Sequence, residues 1–326
     1  MSIITTDIIA VKNQLDIGEI VAIPTETVYG LAANANNAIA IDKIYCLKQR
    51  PYNHPLIMHI ASGWDLDQWA TAIPSYVYNL IDNFWPGPLT LVLPSRKENI
   101  CDLITGGQPT IAIRCPGHSL TQQLLHQLGY PLVAPSANPF GKISPTTAAH
   151  VQISFHESNL MILDGGRCKL GIESTIIDAT RFDSYQILRH GSIDAASLAK
   201  VLTTLKTTNE NNSVRAPGML KQHYQPEKPL YYFANNRELQ QFCAQKSPTY
   251  KIALLDFAND FRPQNIYSHY QLPLQPEQFA YELYFQLRNI DRSLAEVIVM
   301  KLPSNTVEWQ GIRERILKAG FPIQIH

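Results

Sequence analysis

The chain of 326 residues lacks paired cysteines, a long apolar run and an excess of charge of either sign. Its five cysteines are widely spaced and none forms a CxxC pair, so we expect reduced thiols. No apolar run approaches the ~20 residues that span a membrane, and the N-terminus has neither the basic end nor the apolar core of a signal peptide. These absences predict a cytoplasmic protein with no membrane partner.

Charge is scarce and balanced. Only 17% of the residues are charged, with 27 basic and 27 acidic side chains. Zero net charge argues against a protein that coats a polyanion over its whole surface, so any basic site must be local. Hydrophobic residues make up 45% of the chain, which is enough for ordinary cores, and the length suggests two domains.

Several well-known catalytic motifs are also missing from the sequence. There is no GxxxxGK[ST] loop, no GxGxxG fingerprint, no GxSxG elbow and no His/Cys/Asp cluster with zinc-like spacing. No pairing of a nucleophile with a base is evident. Positioning and electrostatics are therefore the expected means of catalysis.

What the chain does contain is an alternation of strand and helix patterns, which predicts an α/β fold. A first unit is expected to end with a helix near residue 205. Residues 206–229 have the composition of a linker or loop, and residues 230–326 are expected to form a small parallel α/β domain.

Polar side chains recur where predicted strands end. Residues 23–31 follow a short buried strand and contain Thr25, Thr27 and Glu26 shortly before Gly30. Ligand sites in open α/β sheets lie at strand ends. Taken alone, this stretch is more readily explained as a strand followed by a polar turn.

A predicted strand at residues 110–114 is more informative. Ile111 and Ile113 share one face, whereas Thr110 and Arg114 share the other with a small alanine between them. That arrangement leaves room for a ligand above the polar face. The alternative is an edge strand with a solvated arginine.

Six segments together place polar residues at strand ends or on one strand face. They are Thr25/Thr27, Lys48/Arg50/His59, Thr110/Arg114, Ser136/Asn138/Ser144, Ser174 and Arg189. The set is rich in cations and hydroxyls and poor in carboxylates, which is typical of a site for a phosphate or carboxylate. Each charge-assisted hydrogen bond contributes roughly 1.5–3 kcal/mol, so two or three would outweigh the cost of ordering the side chains.

Individual members of the set have simpler explanations. Cations favour helix C-termini, which would account for Lys48 and Arg50 without any ligand. A lone histidine in an apolar strand, such as His59, is usually a hydrogen-bonded core residue. The segments therefore indicate a binding site only when they are taken as a group.

Seven motifs carry a family resemblance. They are PTETVYGL at 24–31, KxR at 48–50, PLIMH at 55–59, TIAIR at 110–114, SxN at 136–138, EST at 173–175 and ILRHG at 187–191. In this order they resemble the long form of the YrdC-like threonylcarbamoyl-AMP synthases. Residues 217–219 and 223–224 are similar to the family's interdomain loop, and residues 287–316 resemble its C-terminal domain more loosely.

The resemblance implies a fold and a division of the chain. The fold would be α/β, with a twisted, open, mixed sheet that has a concave cavity, and a small Rossmann-like domain. The catalytic domain would occupy residues 1–205, the interdomain loop 206–229 and the small domain 230–326.

The resemblance also implies a nucleotidyltransferase activity. L-threonine, bicarbonate and ATP, with Mg²⁺ as companion ion, would give L-threonylcarbamoyl-AMP and pyrophosphate. The product would pass to a tRNA threonylcarbamoyltransferase, which modifies the adenosine next to the anticodon. A weak contact with tRNA is a further expectation.

Carried over residue by residue, the resemblance predicts two adjoining subsites. The threonine side would be Thr27, His59, Arg114, Ala134 and Ser174, with Arg114 holding the carboxylate. The ATP side would be Arg50, His54, Thr110, Ser136, Asn138, Ser144, Arg189 and Tyr224. Lys48 and Arg50 would be catalytic by stabilising the leaving pyrophosphate, and Mg²⁺ would be held mainly by the ATP phosphates rather than by a protein metal site.

The sequence departs from the family pattern at a few positions. His54 stands where the family usually has asparagine, and His190 stands where it has proline.

Two other functions were weighed against this one. A concave basic surface also suits an RNA-binding module, although zero net charge argues against it. A role in hydrogenase maturation would need additional modules and CxxC pairs that this chain lacks.

Overall fold

The computed structural model describes residues 2–208, 214–257, 263 and 265–324. It divides into two compact units. The first consists of Met1–Phe140, Ser144–Lys169 and Glu173–Met219, and the second of Gly141–Ile143, Leu170–Ile172 and Leu220–His326.

This division differs from the predicted one, because the predicted linker at 206–229 is shared between the units. Arg215 donates its backbone N–H to Gln108 Oε1 over 2.6 Å, and Arg189 Nη1 donates to the carbonyl of Pro217 over 3.2 Å. These hydrogen bonds attach the described residues from 214 to 219 to the first unit.

The first unit alternates strands and helices along most of its length. The strands are β1 (Ile3–Thr5), β2 (Val21–Ile23), β3 (Gly30–Asn34), β4 (Ile57–His59), β5 (Leu89–Pro94), β6 (Thr110–Arg114), β7 (Leu132–Val133), β8 (Met161–Leu163), β9 (Thr175–Asp178), β10 (Ser184–Arg189) and β11 (Lys206–Thr207). The α-helices are α1 (Ile8–Asp16), α2 (Ala38–Lys48), α3 (Ser75–Phe84), α4 (Asp102–Thr105), α5 (Ser119–Leu128), α6 (Ala148–Ser154) and α7 (Ala195–Val201), with 3₁₀ turns at Leu66–Gln68 and Lys97–Asn99.

The strands of the first unit form one mixed sheet, as predicted. Its order is β1-β8-β2-β3-β7-β4-β6-β5-β9-β10-β11. β4 pairs with β6 in parallel, whereas β6 pairs with β5 and β4 with β7 in antiparallel fashion. β6 therefore lies inside the sheet, so the edge-strand explanation for residues 110–114 is wrong.

Local chemistry explains where α2 begins and ends. The side chain of Asn37 caps its first turn by accepting hydrogen bonds from the N–H groups of Ile39 and Ala40. Gln49 follows the last turn in a left-handed conformation, with φ 52°. The helix thus stops where Lys48 and Arg50 stand on either side of a reversal of the chain.

The second unit contains a smaller sheet of parallel strands. The strands are β12 (Leu230–Phe233), β13 (Ile252–Asp256), β14 (Ile266–Gln271), β15 (Val297–Lys301) and β16 (Phe321–Pro322), in the order β14-β13-β15-β12-β16. The helices are α8 (Asn236–Ala244), α9 (Pro276–Asp291) and α10 (Gln310–Ala319), with a 3₁₀ turn at Val307–Trp309. Neighbouring strands of this sheet pair in parallel, which confirms the predicted parallel α/β domain.

Within the part of the chain that the structure describes, no helix is both long and apolar enough to cross a membrane.

Candidate active site

Three neighbouring strands hold most of the predicted threonine side. On β4 and β6, His59 and Arg114 are paired residues in the parallel register. On the other side of β4 lies β7, and Ala134 directly follows this strand. The N–H of Ala134 donates to the carbonyl of Ile57 on β4 over 3.1 Å. The sheet therefore brings His59, Arg114 and Ala134 together.

Arg114 is buried and its guanidinium has three partners. Nη1 donates to Thr27 Oγ1 over 3.0 Å, Nη2 to Glu26 Oε1 over 2.6 Å and Nε to the carbonyl of Gly87 over 3.3 Å. Only 4% of the residue is exposed. The pairing of Thr27 with Arg114, two members of the predicted threonine side, fixes the plane of the guanidinium.

The loop that carries Thr27 is ordered by its own hydroxyl groups. Thr25 Oγ1 accepts from the N–H groups of Thr27 and Val28 and donates to the carbonyl of Val28 over 2.6 Å. Such side-chain bonds replace the missing backbone pairs of a turn. Tyr29 N donates to the carbonyl of Pro145 over 2.9 Å, which ties the loop to the segment that follows Ser144.

Ser174 links the two predicted subsites. Its hydroxyl lies 2.8 Å from Thr90 Oγ1, and Thr90 is the cross-strand partner of Arg114. Arg189, assigned to the ATP side, donates from Nη2 to Ser174 Oγ and from Nε to the Ser174 carbonyl, each over 3.0 Å.

Gly191 makes this arrangement possible. A Cβ at that position would lie 2.4 Å from Thr175 N and 2.6 Å from the carbonyl carbon of Ser174. Only glycine allows the two backbones to approach so closely, and this closeness keeps Arg189 beside Ser174.

The predicted ATP side contains a cluster of buried cations. Lys48 Nζ donates to the carbonyl oxygens of Ser136 and Asn138, which joins the KxR and SxN motifs. Burial, and then the charge of Arg50, hold the pKa of Lys48 well below its ordinary value. Because it is hydrogen-bonded to both carbonyl oxygens, Lys48 orders the loop that contains Ser136 and Asn138.

Arg50 belongs to the same cluster. It donates from Nη2 to the carbonyl of Pro55 over 2.8 Å and from Nε to that of His54 over 3.3 Å, and its guanidinium carbon lies 5.5 Å from the centre of the Phe140 ring. Burial lowers the pKa of Arg50 to about 10, and the charge of Arg189 acts in the same direction. Mutual repulsion among cations is characteristic of a site that binds a polyanion.

The remaining ATP-side residues lie around this cluster. The ring of His54 packs edge-on against Phe140, with ring centres 5.2 Å apart, and Ser144 donates a hydrogen bond to Glu173. Thr110 shares a face of β6 with Arg114, and at ~3.3 Å per residue the two are about 13 Å apart. That span suits two adjoining small substrates.

Tyr224 is the exception, because it lies in the second unit while the other predicted residues lie in the first. It has a positive φ of 63°. Its ring stacks on Tyr284 with centres 6.1 Å apart, and the Arg315 guanidinium carbon lies 5.3 Å from the ring centre. Its predicted contact with ATP remains a prediction.

The site contains more carboxylates than the sequence indicated. Glu26 binds Arg114 and Glu173 binds Ser144, and both are buried. Glu26 lies in the PTETVYGL motif and Glu173 in the EST motif, but the motifs alone do not indicate which side chains these carboxylates bind. Thr90 was not predicted as a site residue. The one sequence feature that could have indicated it is its hydroxyl, which interrupts the apolar run of β5.

His59 is expected to remain neutral and to destabilise the fold in acid. Burial lowers its pKa to about 3, and the charge of Arg114 adds to this effect. The unfolded chain takes up this proton below pH ~6.5, so the free energy of unfolding should fall by about 1.4 kcal/mol for each pH unit below that value.

The measurement is urea unfolding from neutral pH down to about pH 5, well above the folded pKa of about 3. His59→Gln should remove this part of the acid dependence, whereas His156→Gln, at an exposed histidine, should leave it in place. An acid dependence equal in wild type and His59→Gln would contradict the expectation.

The donor groups of the site bear on how a metal ion could bind there. Among the residues that the structure describes, no three or more His, Cys, Asp or Glu side chains cluster so as to hold one. Mg²⁺ commonly keeps several waters and binds through substrate phosphates with one or two carboxylates. The hydroxyl of Ser144 beside the carboxylate of Glu173 is the type of oxygen donor that would assist an ion bound mainly by substrate phosphates.

The chain is thus an α/β protein with a mixed sheet, a buried arginine at one end of the candidate site and a cluster of buried basic side chains at the other. Two family models match the chain: the Sua5/YciO/YrdC model, described as "Telomere recombination", over residues 13–191, and the threonylcarbamoyl-AMP synthase C-terminal domain over residues 193–320. The chain belongs to the threonylcarbamoyl-AMP synthase family and is accordingly an enzyme.

Individual relatives agree with this assignment. The threonylcarbamoyl-AMP synthase of Pyrococcus abyssi is 36% identical over 93% of this chain and 91% of its own length, and that of Bacillus subtilis is 35% identical over 93% and 89%. The crystal structure of P. abyssi Sua5 complexed with L-threonine matches with a TM-score of 0.89 and 32% identity over the whole of both chains.

Proposed function

We propose that this enzyme converts L-threonine, bicarbonate and ATP into L-threonylcarbamoyl-AMP and pyrophosphate. The observation that carries the proposal is the arrangement around Ser174. Arg189 donates to the Ser174 hydroxyl, and that hydroxyl lies 2.8 Å from Thr90 Oγ1, the cross-strand partner of Arg114. A carboxylate and a triphosphate could therefore bind next to each other.

The threonine carboxylate would bind to Arg114. A guanidinium has five N–H groups, and three of those on Arg114 are already donated, which leaves one on each terminal nitrogen. Two parallel bonds to a carboxylate would use both. Thr27 accepts a hydrogen bond from Arg114 and His59 is the register partner of Arg114, so the hydroxyl and the neutral imidazole would contact the substrate's polar groups.

The triphosphate would bind to the cation cluster. Arg50 and Arg189 would neutralise its charge, and the Lys48-ordered loop would present Ser136 and Asn138 to the nucleotide. Mg²⁺ bound to the phosphates would supply further charge neutralisation. Arg50, Arg189 and Asn138 are buried, so their interactions with phosphate oxygens would be stronger than in water.

Chemistry would then proceed in two steps. After the threonine ammonium has lost a proton, its nitrogen forms a bond to the carbon of bicarbonate, and loss of water leaves a carbamate. A carbamate oxygen then attacks the α-phosphorus of ATP, and the bond to the β-phosphate breaks. Lys48 and Arg50 would stabilise the charge that develops on the departing pyrophosphate.

We further propose that the product serves tRNA modification. Threonylcarbamoyl-AMP is a mixed anhydride, so it must be passed on before water destroys it. The acceptor would be a tRNA threonylcarbamoyltransferase in the cytoplasm, which acts on the adenosine beside the anticodon. This enzyme's own contact with tRNA would be weak, since its net charge is zero.

The test is release of pyrophosphate by the purified protein. Release should require ATP, L-threonine and bicarbonate together, and mass spectrometry should detect the adenylate. Release without threonine would contradict the proposal, and so would inactivity of folded protein. Tight RNA binding in the absence of this activity would favour the RNA-binding alternative.

A further inference from the structure

Glu26 is a buried carboxylate with two firm partners at the Arg114 end of the site. Its Oε1 accepts from Arg114 Nη2 over 2.6 Å, and its Oε2 accepts from the backbone N–H of Gly117 over 2.9 Å. The exposed fraction of its side chain is 10%, and that of Arg114 is 5%. The two therefore form an ion pair largely removed from water.

The ion pair determines which way Arg114 can bind a ligand. Glu26 holds Nη2, Thr27 holds Nη1 and the carbonyl of Gly87 holds Nε. Because the guanidinium is planar, three contacts at three nitrogens fix both its position and its plane. The N–H groups still available on Nη1 and Nη2 then point in fixed directions.

The ion pair also sets the charge at the Arg114 end of the candidate site. Arg114 contributes one positive charge and Glu26 one negative charge, so the pair is neutral. His59 adds none, because burial and Arg114 lower its pKa to about 3. A ligand with no net charge leaves this balance intact, whereas a simple carboxylate brings an uncompensated negative charge next to Glu26.

We propose that Glu26 is a specificity-determining residue that makes the Arg114 pocket selective for a zwitterionic α-amino acid over a carboxylic acid without an ammonium group. The inference rests on the proposed function, since it takes this pocket as the amino-acid site. Burying a net charge is costly, and burying a balanced set is much less so. Glu26 acts through Arg114 and through the charge balance.

A merely structural role for Glu26 gives a different expectation. If the carboxylate only braced Gly117 and the 24–29 loop, its replacement would weaken the binding of every ligand by a similar factor. A role in charge selection instead changes the ratio between two ligands of the same shape. The ratio of two dissociation constants therefore separates the two roles.

The experiment compares L-threonine with 3-hydroxybutanoate, which has the same carbon skeleton without the ammonium group. Calorimetry would measure both with the wild type, Glu26→Gln, Glu26→Asp and Glu19→Gln. Glu19 carries a carboxylate of the same unit in a half-exposed ion pair with Lys43, so its variant is the matched control for loss of one negative charge.

We expect the wild type to bind L-threonine at least about tenfold more tightly than 3-hydroxybutanoate. Glu26→Gln should shift that ratio toward 3-hydroxybutanoate by about tenfold or more, because unit charges a few ångströms apart interact strongly in a protein interior. Glu26→Asp keeps the charge and should hold the ratio within about threefold of wild type, as should Glu19→Gln.

Each outcome is decisive. A ratio unchanged in folded Glu26→Gln overturns the inference and leaves the proposed function standing. If Glu26→Gln does not fold, equal affinity of the wild type for both ligands, or loss of discrimination in Glu26→Asp, overturns it. Failure of the wild type to bind L-threonine at all, even with ATP present, counts instead against the proposed function.

Discussion

Replacing Arg114 with glutamine should raise the KM for L-threonine by about 100-fold or more, because two charge-assisted hydrogen bonds of roughly 1.5–3 kcal/mol each are lost. The KM for ATP should change by less than about threefold, since the cation cluster does not include Arg114. Pyrophosphate release at varied threonine and ATP concentrations measures both constants. Equal losses for the two substrates would contradict the separate subsites.

The same substitution should also destabilise the protein. It leaves Glu26 as a buried charge without its partner, and breaking such a pair costs about 3–5 kcal/mol. The double variant Arg114→Gln/Glu26→Gln removes both charges and should recover most of that free energy of unfolding. Threonine binding should not recover with it. This contrast shows whether the loss of activity in the single variant comes from the binding site or from unfolding.

Glu19→Gln provides the control for the stability measurement. Its carboxylate pairs with Lys43 at 2.7 Å, and the two side chains are 47% and 36% exposed. Exposed pairs typically contribute about 0–1 kcal/mol, so this variant should unfold almost like the wild type. A large loss of unfolding free energy in Glu19→Gln would mean that burial does not explain why the Glu26–Arg114 pair contributes more to stability than the Glu19–Lys43 pair.

Local patterns in the sequence predicted much of the fold. The residue patterns predict helices over 38–48, 75–84 and about 119–128 and a strand over 110–114, and α2, α3, α5 and β6 have these bounds. These elements have clear periodicity or clear end signals. β1 and β3 were not predicted: β1 has only three residues, and β3 starts at Gly30, which has the sequence signature of a turn.

The partners within the site could not be predicted in the same way. Thr90 faces Arg114 only because of the antiparallel register of β5 and β6, which no short segment specifies. Glu26 is next to Thr27 in the chain, yet its pairing with Arg114 spans 88 positions. The family resemblance supplied a set of residues, whereas the ion pairs that determine their chemistry depend on the tertiary structure.

The cation cluster leads to the second large effect, on ATP. Arg50 is 8% exposed and donates to two backbone carbonyls, and burial lowers its pKa to about 10. The charge of Arg189 contributes to this lowering, so the two charges are close enough to repel each other. A triphosphate would replace that repulsion with attraction. Removing one of the cations should therefore weaken binding of the polyanion more than it weakens binding of a nucleoside monophosphate.

Arg50→Gln should lower the affinity for ATP by roughly 10- to 1000-fold, which corresponds to one or two charge-assisted hydrogen bonds. Affinity for AMP should fall by less than about fivefold, because the predicted role of Arg50 is at the departing pyrophosphate. Arg96→Gln is the matched control, since Arg96 is a partly exposed arginine of the same unit that pairs with Glu98. Calorimetric titration with both nucleotides measures the difference. An equal loss for ATP and AMP would place Arg50 beside the adenosine or the α-phosphate instead, and the stabilisation of pyrophosphate would then have to come from Lys48, Arg189 and Mg²⁺.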